Sequence, residues 1–171
     1  MIHPLDPIYN AQSKILILGS FPSVISRATH FYYAHPQNRF WQVLSALAQC
    51  PLPQTIDEKK ALLLKHHIAV WDVIHSCDIH GSSDQSIRNV IPNDLRQLLS
   101  ESQIESIYAN GTKAMQLYRQ YCLSSTQREI VCLPSTSPAN RRLSLEQLIK
   151  IWDDKINLSR FDTITEYHAL K

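Results

Sequence analysis

Glycine is scarce in this chain: its 171 residues hold only three, Gly19, Gly81 and Gly111. Each therefore marks a backbone position with special needs. No GxGxxG or P-loop sequence occurs. Dinucleotide and nucleoside-triphosphate binding lose their usual sequence support. No apolar run approaches the ~20 residues of a membrane span, so no membrane association is expected. No cysteine pair has CxxC spacing among Cys50, Cys77, Cys122 and Cys132. An iron–sulfur cluster would need four suitably spaced thiolates. The N-terminal MIHPLDPIYN is polar and proline-punctuated rather than leader-like. Free thiols in a cytoplasmic protein are the expectation. The eight histidines, including His66-His67 and His75…His80, lack a ligand spacing such as HExxH. Neither a metal nor any other cofactor is expected. Charge of one sign is also lacking: 17 Lys and Arg against 15 Asp and Glu give +2. That permits a polyanionic partner only through a local patch.

Hydrophobic content is 44%, which suits a globular protein. The simplest organisation is a single domain over 1–171, burying about 70% of the surface of its unfolded chain. Residues 14–18, Lys-Ile-Leu-Ile-Leu, form a strand-like run ending at Gly19. Residues 68–74, 104–109 and 129–133 are further strand candidates. Helices are predicted at 38–48, from Thr55 to about Lys65, and around Ala114–Tyr121. Another starts at the capping box Ser144-Leu145-Glu146-Gln147. Pro92 sits at a plausible first helical position, with Leu95, Leu98 and Leu99 as that helix's apolar face. A polar loop is predicted from Ser76 to Asn89, and the tail from Ser159 is weakly patterned. Alternating strands and helices give an α/β domain with a mostly parallel sheet. Loops after the first and fourth strands then share one edge, where such sheets bind ligands.

Those two loops carry the chemistry. The first, Gly19 to Trp41, is dense in aromatics. Phe40 and Trp41 have helical spacing and read as core. Tyr33 lies in a polar stretch, where a flat ring can stack on a nucleobase. Asn38 has two readings: a helix cap, or a neutral amide orienting a water or a base edge. His35 is likewise either a structural hydrogen-bonder or a site residue. The second loop combines Ser135, Thr136 and Ser137 with Pro138, Ala139, Asn140, Arg141 and Arg142. Hydroxyls, backbone amides and guanidinium groups are the usual phosphate contacts. An ordinary surface loop with solvated arginines is the alternative.

Taken together, these segments resemble the uracil-DNA glycosylase superfamily. FxxAHPxNRFW is similar to the first motif of its mismatch-specific branch. PSTSPANRR followed by LSLEQLIKIW is similar to the second motif and following helix. The combination GSFPS, YYAHPQNRFW, WDVIHSCDIHGSSDQSI, YANG and LPSTSPAN most resembles the hypoxanthine-DNA glycosylase family, from about Ile15 to Trp152. The resemblance implies a three-layer αβα sandwich around a central four-stranded parallel sheet. It also implies a monomeric, monofunctional enzyme whose partner is DNA containing a damaged base. The base is flipped out and hydrolysed from its sugar, leaving an abasic site. Hypoxanthine is the expected base. A uracil- or mismatch-specific glycosylase, a non-catalytic DNA-binding relative, and a nucleoside hydrolase are the alternatives.

The departures redistribute the roles. Phe21 stands where the mismatch-specific branch has a catalytic asparagine, and Leu133 precedes Pro134 where many branches have histidine. By resemblance, Asn38 becomes the catalytic candidate. Gly19, Ser20, Phe21, Pro22, Ser23, Tyr33, His35 and Asn110 become base-binding candidates. Ser135 to Arg142 become DNA-binding candidates, and Gly81 to Asp84 help shape the pocket.

Overall fold

The central strand is buried on both sides because both of its faces are apolar. In β1 (Ile15–Gly19) Ile15, Leu16, Ile17 and Leu18 have no exposed surface. Side chains alternate across a strand. Ile15 and Ile17 accordingly join one hydrophobic cluster, and Leu16 and Leu18 join the other.

The structure, a computed structural model, describes residues 1–161. Residues 162–171, part of the single domain expected over 1–171 and of its weakly patterned tail, lie outside the described residues. After β1 come α1 (Val24–Thr29), α2 (Phe40–Leu47), α3 (Ile56–Lys65) and β2 (Ile68–Asp72). Then follow β3 (Ile74–Asp78), β4 (Arg88–Pro92), α4 (Arg96–Ser100), β5 (Ser106–Asn110) and α5 (Thr112–Tyr121). The order closes with α6 (Leu123–Thr126), β6 (Ile130–Leu133) and α7 (Leu145–Ile156). The main sheet has four strands in the order β2-β1-β5-β6, all parallel. Residues from α2, α3 and α7 cover one face, among them Phe40, Leu63 and Trp152. Leu98 of α4 and Ala114, Leu117 and Tyr118 of α5 cover the other. This is the expected αβα sandwich. Both predicted capping boxes are present, at Thr55/Glu58 and Ser144/Gln147.

Three sequence expectations need correction. The apolar run Ile68–Ile74 predicts one strand, but β2 stops at Asp72. There the Val73 and Ile74 N–H groups turn to the carbonyls of Gly19 (2.9 Å) and Ser20 (3.2 Å). Ile74 instead begins β3, which pairs antiparallel with β4. The polar loop expected from Ser76 is thus partly a hairpin, and Pro92 closes β4 instead of opening a helix. A proline at a strand end forfeits no internal ladder bond. The buried Asn93 amide holds this switch, donating to Asp72 O (2.9 Å) and Ile74 O (3.2 Å).

The N-terminal segment runs beside these strands. Ile8 bridges Val70 and Ile2 bridges Ser76, both antiparallel. The Met1 ammonium donates to Cys77 O at 2.7 Å, and His3 N–H to His75 O at 2.7 Å. All four cysteines are free thiols. No helix among the described residues is long and apolar enough to cross a membrane.

Candidate active site

Parallel strands put their carboxyl ends on one edge. Gly19, Asp72, Asn110 and Leu133 end β1, β2, β5 and β6 respectively. The loops leaving that edge enclose a cleft of about 350 Å³. Gly19, Ser20, Phe21, Pro22, Ser23, Tyr33, His35, Asn38 and Asn110 all line it, as do Ser135 to Ala139. Structure thus brings the two sequence-identified loops to one cavity.

Gly19 is glycine because of what passes over it. A Cβ there would overlap Asp72 Oδ1 and lie 3.1 Å from the Tyr33 hydroxyl. Gly111 answers a different need: φ +99 as the chain leaves β5, with Ser135 packed above it. Ser23 caps α1 by accepting from Ser26 N–H at 3.1 Å. Phe31 then stacks on Trp41, with centroids 5.8 Å apart. Tyr32 donates to Asp6 O at 2.7 Å. Phe40 and Trp41 are core residues, as their spacing predicts.

Tyr33 is both packed on the core and open to the cleft. Its ring lies on Phe40 at 3.8 Å and 19°, yet it lines the cleft. Its backbone is left-handed, at φ 52, uncommon for an aromatic residue. Its hydroxyl is buried and has no hydrogen-bond partner among the described residues. Burial, then the nearby Asp72 carboxylate, push the phenol's pKa well up, opposed by the Asn110 side chain. At neutral pH it is a neutral donor without an acceptor.

Asn38 is a cap, and it also lines the cleft. Arg39 is the N-cap residue of α2 by backbone geometry, but the Asn38 side chain caps, its Oδ1 accepting from Phe40 N–H at 3.0 Å. A backbone N–H can be answered only by an acceptor, so this bond sets the amide's orientation. Oδ1 also accepts from Thr136 Oγ1 at 2.9 Å. Thr136 Oγ1 in turn accepts from Asn110 Nδ2 (2.9 Å), and Thr136 N–H donates to Asn110 Oδ1 (3.0 Å). Two asparagines from different loops are thus joined through one buried hydroxyl. Both lone pairs of Asn38 Oδ1 are used, and Nδ2 has no hydrogen-bond partner among the described residues. His35 accepts from Gln37 N–H through Nδ1 at 3.1 Å.

The second loop is shaped from within. Asn140 Nδ2 donates to Ser135 O (2.9 Å), and Ser135 Oγ accepts from Ser137 N–H (3.1 Å). Arg39 clamps this loop to the first, donating to Leu143 O (2.6 Å) and Asn140 O (2.7 Å). Trp152 on α7 holds Pro134 O at 2.9 Å. Arg141 and Arg142 are exposed and face solvent, as phosphate contacts must. Thr136 is the exception in this group. It is fully buried with its hydroxyl occupied, so it supports the site instead of meeting a phosphate.

Sequence reasoning missed two residues, Asp72 and His3. Asp72 is only 3% exposed, lines the cleft and accepts from His3 Nε2 at 2.7 Å. A carboxylate closing an apolar strand at the ligand edge was the available signal. His3 carried none, since nothing local ties residue 3 to residue 72. Asp84, inside the stretch expected to shape the pocket, accepts from Ser20 Oγ at 2.8 Å. Its residue surface is largely exposed, but the carboxyl end is crowded within the cleft. This desolvation raises its pKa against the Ser20 hydroxyl and Lys113, with Asp72 adding to the rise. No cluster of three metal-ligating side chains occurs among the described residues.

The fold and the cleft define an αβα protein whose ligand site lies at the carboxyl edge of a parallel sheet. The chain belongs to the uracil DNA glycosylase superfamily, whose family model matches residues 7–155. It is 35% identical over 141 residues to a hypoxanthine DNA glycosylase of Methanosarcina acetivorans, covering 80% of this chain and 87% of that one. It is 32% identical over 139 residues to a protein of the same name from Methanosarcina barkeri, covering 80% and 86%. The solution structure of an M. acetivorans protein described as a candidate uracil DNA glycosylase superposes with a TM-score of 0.78. That pair is 30% identical, covering 93% of this chain and 99% of the other.

Proposed function

We propose that this protein is a monofunctional DNA glycosylase that flips a deaminated base, hypoxanthine foremost, out of DNA and hydrolyses it from its sugar. The observation that carries the reading is the cleft itself. A ring for stacking, two fixed asparagine amides and a buried carboxylate converge in a family of DNA base hydrolases. The named relatives act on hypoxanthine by their printed descriptions, which supports that base over uracil.

Cleavage passes through an oxocarbenium-like sugar. Such a cation needs a positioned water more than a strong base. The water adds its oxygen to C1′ and loses a proton; the base leaves with the bonding electrons and takes up a proton. Asn38 cannot remove that proton, but its free Nδ2 can hold the water's oxygen in place. Backbone amides of Gly19 to Ser23 lie along the cleft and oppose the charge growing on the base. Exposed Arg141 and Arg142 meet the DNA backbone, whose phosphates also stabilise the sugar cation. Pro138 to Arg142 enter the space that the flipped nucleotide vacates.

The test is excision from duplexes containing hypoxanthine, uracil or xanthine under enzyme excess, with alkali revealing abasic sites. Hypoxanthine release is expected. No release of any of the three overturns the reading. It would leave a DNA-binding relative without chemistry, which Phe21 at the usual polar position favours. Such a protein would still bind DNA in a salt-sensitive manner.

A further inference from the structure

The buried Asp72–His3 pair has no part in positioning water, yet it forms the wall of the cleft beside Tyr33. Its chemistry is restricted. Leu5 N–H donates to His3 Nδ1 at 3.2 Å, so Nδ1 is an acceptor and the ring proton sits on Nε2. Nε2–H therefore donates to Asp72 Oδ2 at 2.7 Å. A neutral imidazole does this, leaving the carboxylate as an anion that can only accept. Oδ1 takes no hydrogen bond from any described residue. It lies over Gly19 Cα, next to the unpartnered Tyr33 hydroxyl. Buried carboxylates rarely keep an oxygen without a donor. An acceptor held empty at a ligand cleft awaits a donor from the ligand.

We propose that Asp72 Oδ1 reads the ring N–H that deamination creates, and that His3 is the residue positioning it. This rests on the glycosylase reading above. Adenine N1 is a bare acceptor, and in hypoxanthine the same nitrogen carries a proton. Cytosine N3 and uracil N3 differ in the same way. A carboxylate accepts from the deaminated base and repels the lone pair of the amino base. An amide could rotate to suit either, so an anion discriminates where an asparagine would not. The device separates hypoxanthine from adenine and uracil from cytosine, but not xanthine from guanine, since both carry N1–H. His3 lies outside the residues 7–155 that the family model matches. The N-terminal segment brings it there through the His3–His75 and Met1–Cys77 backbone contacts.

Binding separates this proposal from the catalytic one. Duplexes carrying 2′-fluoro nucleotides resist cleavage, so affinity is read before chemistry. The quantity is the affinity ratio for hypoxanthine over adenine at one site, in wild type, Asp72→Asn, His3→Ala and His3→Gln. Asp72→Asn should lower the ratio about tenfold to hundredfold, the range for one hydrogen bond to a charged group. Part of that change should come as tighter adenine binding, which a merely structural loss would not produce. His3→Ala should lower the ratio while leaving Asp72 in place, and His3→Gln, which keeps a donor, should restore much of it. A ratio within twofold of wild type in Asp72→Asn, with an unchanged melting temperature, overturns the role of Asp72. The same result in His3→Ala overturns that of His3. Wild type alone gives a test independent of any variant's folding: equal affinity for hypoxanthine and 1-methylhypoxanthine would sink the proposal. Cleavage of an unfluorinated hypoxanthine duplex, run in parallel, reports on the glycosylase reading separately. Absent cleavage with an intact ratio removes the enzyme and keeps the recognition.

Discussion

The two walls of the cleft are built on opposite plans. On the Asn38 wall almost every polar atom is answered. Phe40 N–H, Thr136 and Asn110 lock the amide, and Arg39 ties the two loops together. On the Asp72 wall polar atoms wait. Among the described residues the buried Tyr33 hydroxyl lacks an acceptor, and only Oδ2 of Asp72 takes a donor. A satisfied network holds its shape without ligand. Unsatisfied buried groups raise the energy of the empty site and lower it when a partner arrives. One wall is set for orientation and the other for recognition.

The largest effect should come from the oriented wall. Asn38→Ala removes the amide proposed to hold the water. It should slow excision by about 10²–10³-fold, the usual loss for one preorganised polar group. Duplex affinity should change only a few-fold, because phosphate contacts lie on the other loop. Single-turnover kinetics and equilibrium binding on one preparation compare the two. Equal losses in both would erase the distinction between the walls.

Gly19→Ala sharpens the recognition wall. The added methyl overlaps Asp72 Oδ1 and crowds Tyr33. Stability should fall by about 1–3 kcal/mol, as for overpacking elsewhere. Base discrimination should fall further than that of a surface variant of equal melting temperature. Denaturant melts and the hypoxanthine-to-adenine ratio measure the pair.

Thr136→Val conserves shape and deletes the hydroxyl between Asn110 and Asn38. Two half-buried amides then lose a partner, at a cost of about 1–3 kcal/mol. Excision should drop while the hypoxanthine-to-adenine ratio holds, the reverse of the Gly19→Ala pattern. An altered ratio would mean that the walls are coupled.

The smallest effect concerns the rim. Desolvation raises the Asp84 pKa in the folded state, so the folded chain holds this proton at pH values where the unfolded chain has lost it. Its contribution to stability therefore falls as pH rises from the ordinary aspartate range into the raised one. Asp84→Asn should flatten that slope in melts across pH 3 to 6 (about the ordinary aspartate range upward). An unchanged slope would place Asp84 outside the cleft's electrostatics.

Much of this could be read from residue order. The apolar run before Gly19, the capping boxes at Thr55 and Ser144, and the two loops all follow from local patterning. Period and capping act over a few residues, and a sequence displays them directly. The hairpin β3–β4 escaped because one apolar run, Ile68–Ile74, spans two strands of different sheets. What holds the switch after Asp72 is the buried Asn93 amide, which grips the Asp72 and Ile74 carbonyls from 21 and 19 positions along the chain. Asn38 was legible as a cap or as a site residue. What fixes its amide in the cleft is Thr136, 98 positions along the chain.

By itself the sequence determined the class of fold, the edge where ligand binds and the family. Those rest on hydrophobic period and on short motifs. Only the tertiary structure decided which carboxylate lines the cleft and what holds it. Asp72 and His3 lie 69 positions apart, and their 2.7 Å bond exists because the N-terminal segment packs alongside β2 and β3. A buried charge takes its meaning from its surroundings, and those are assembled from distant parts of the chain.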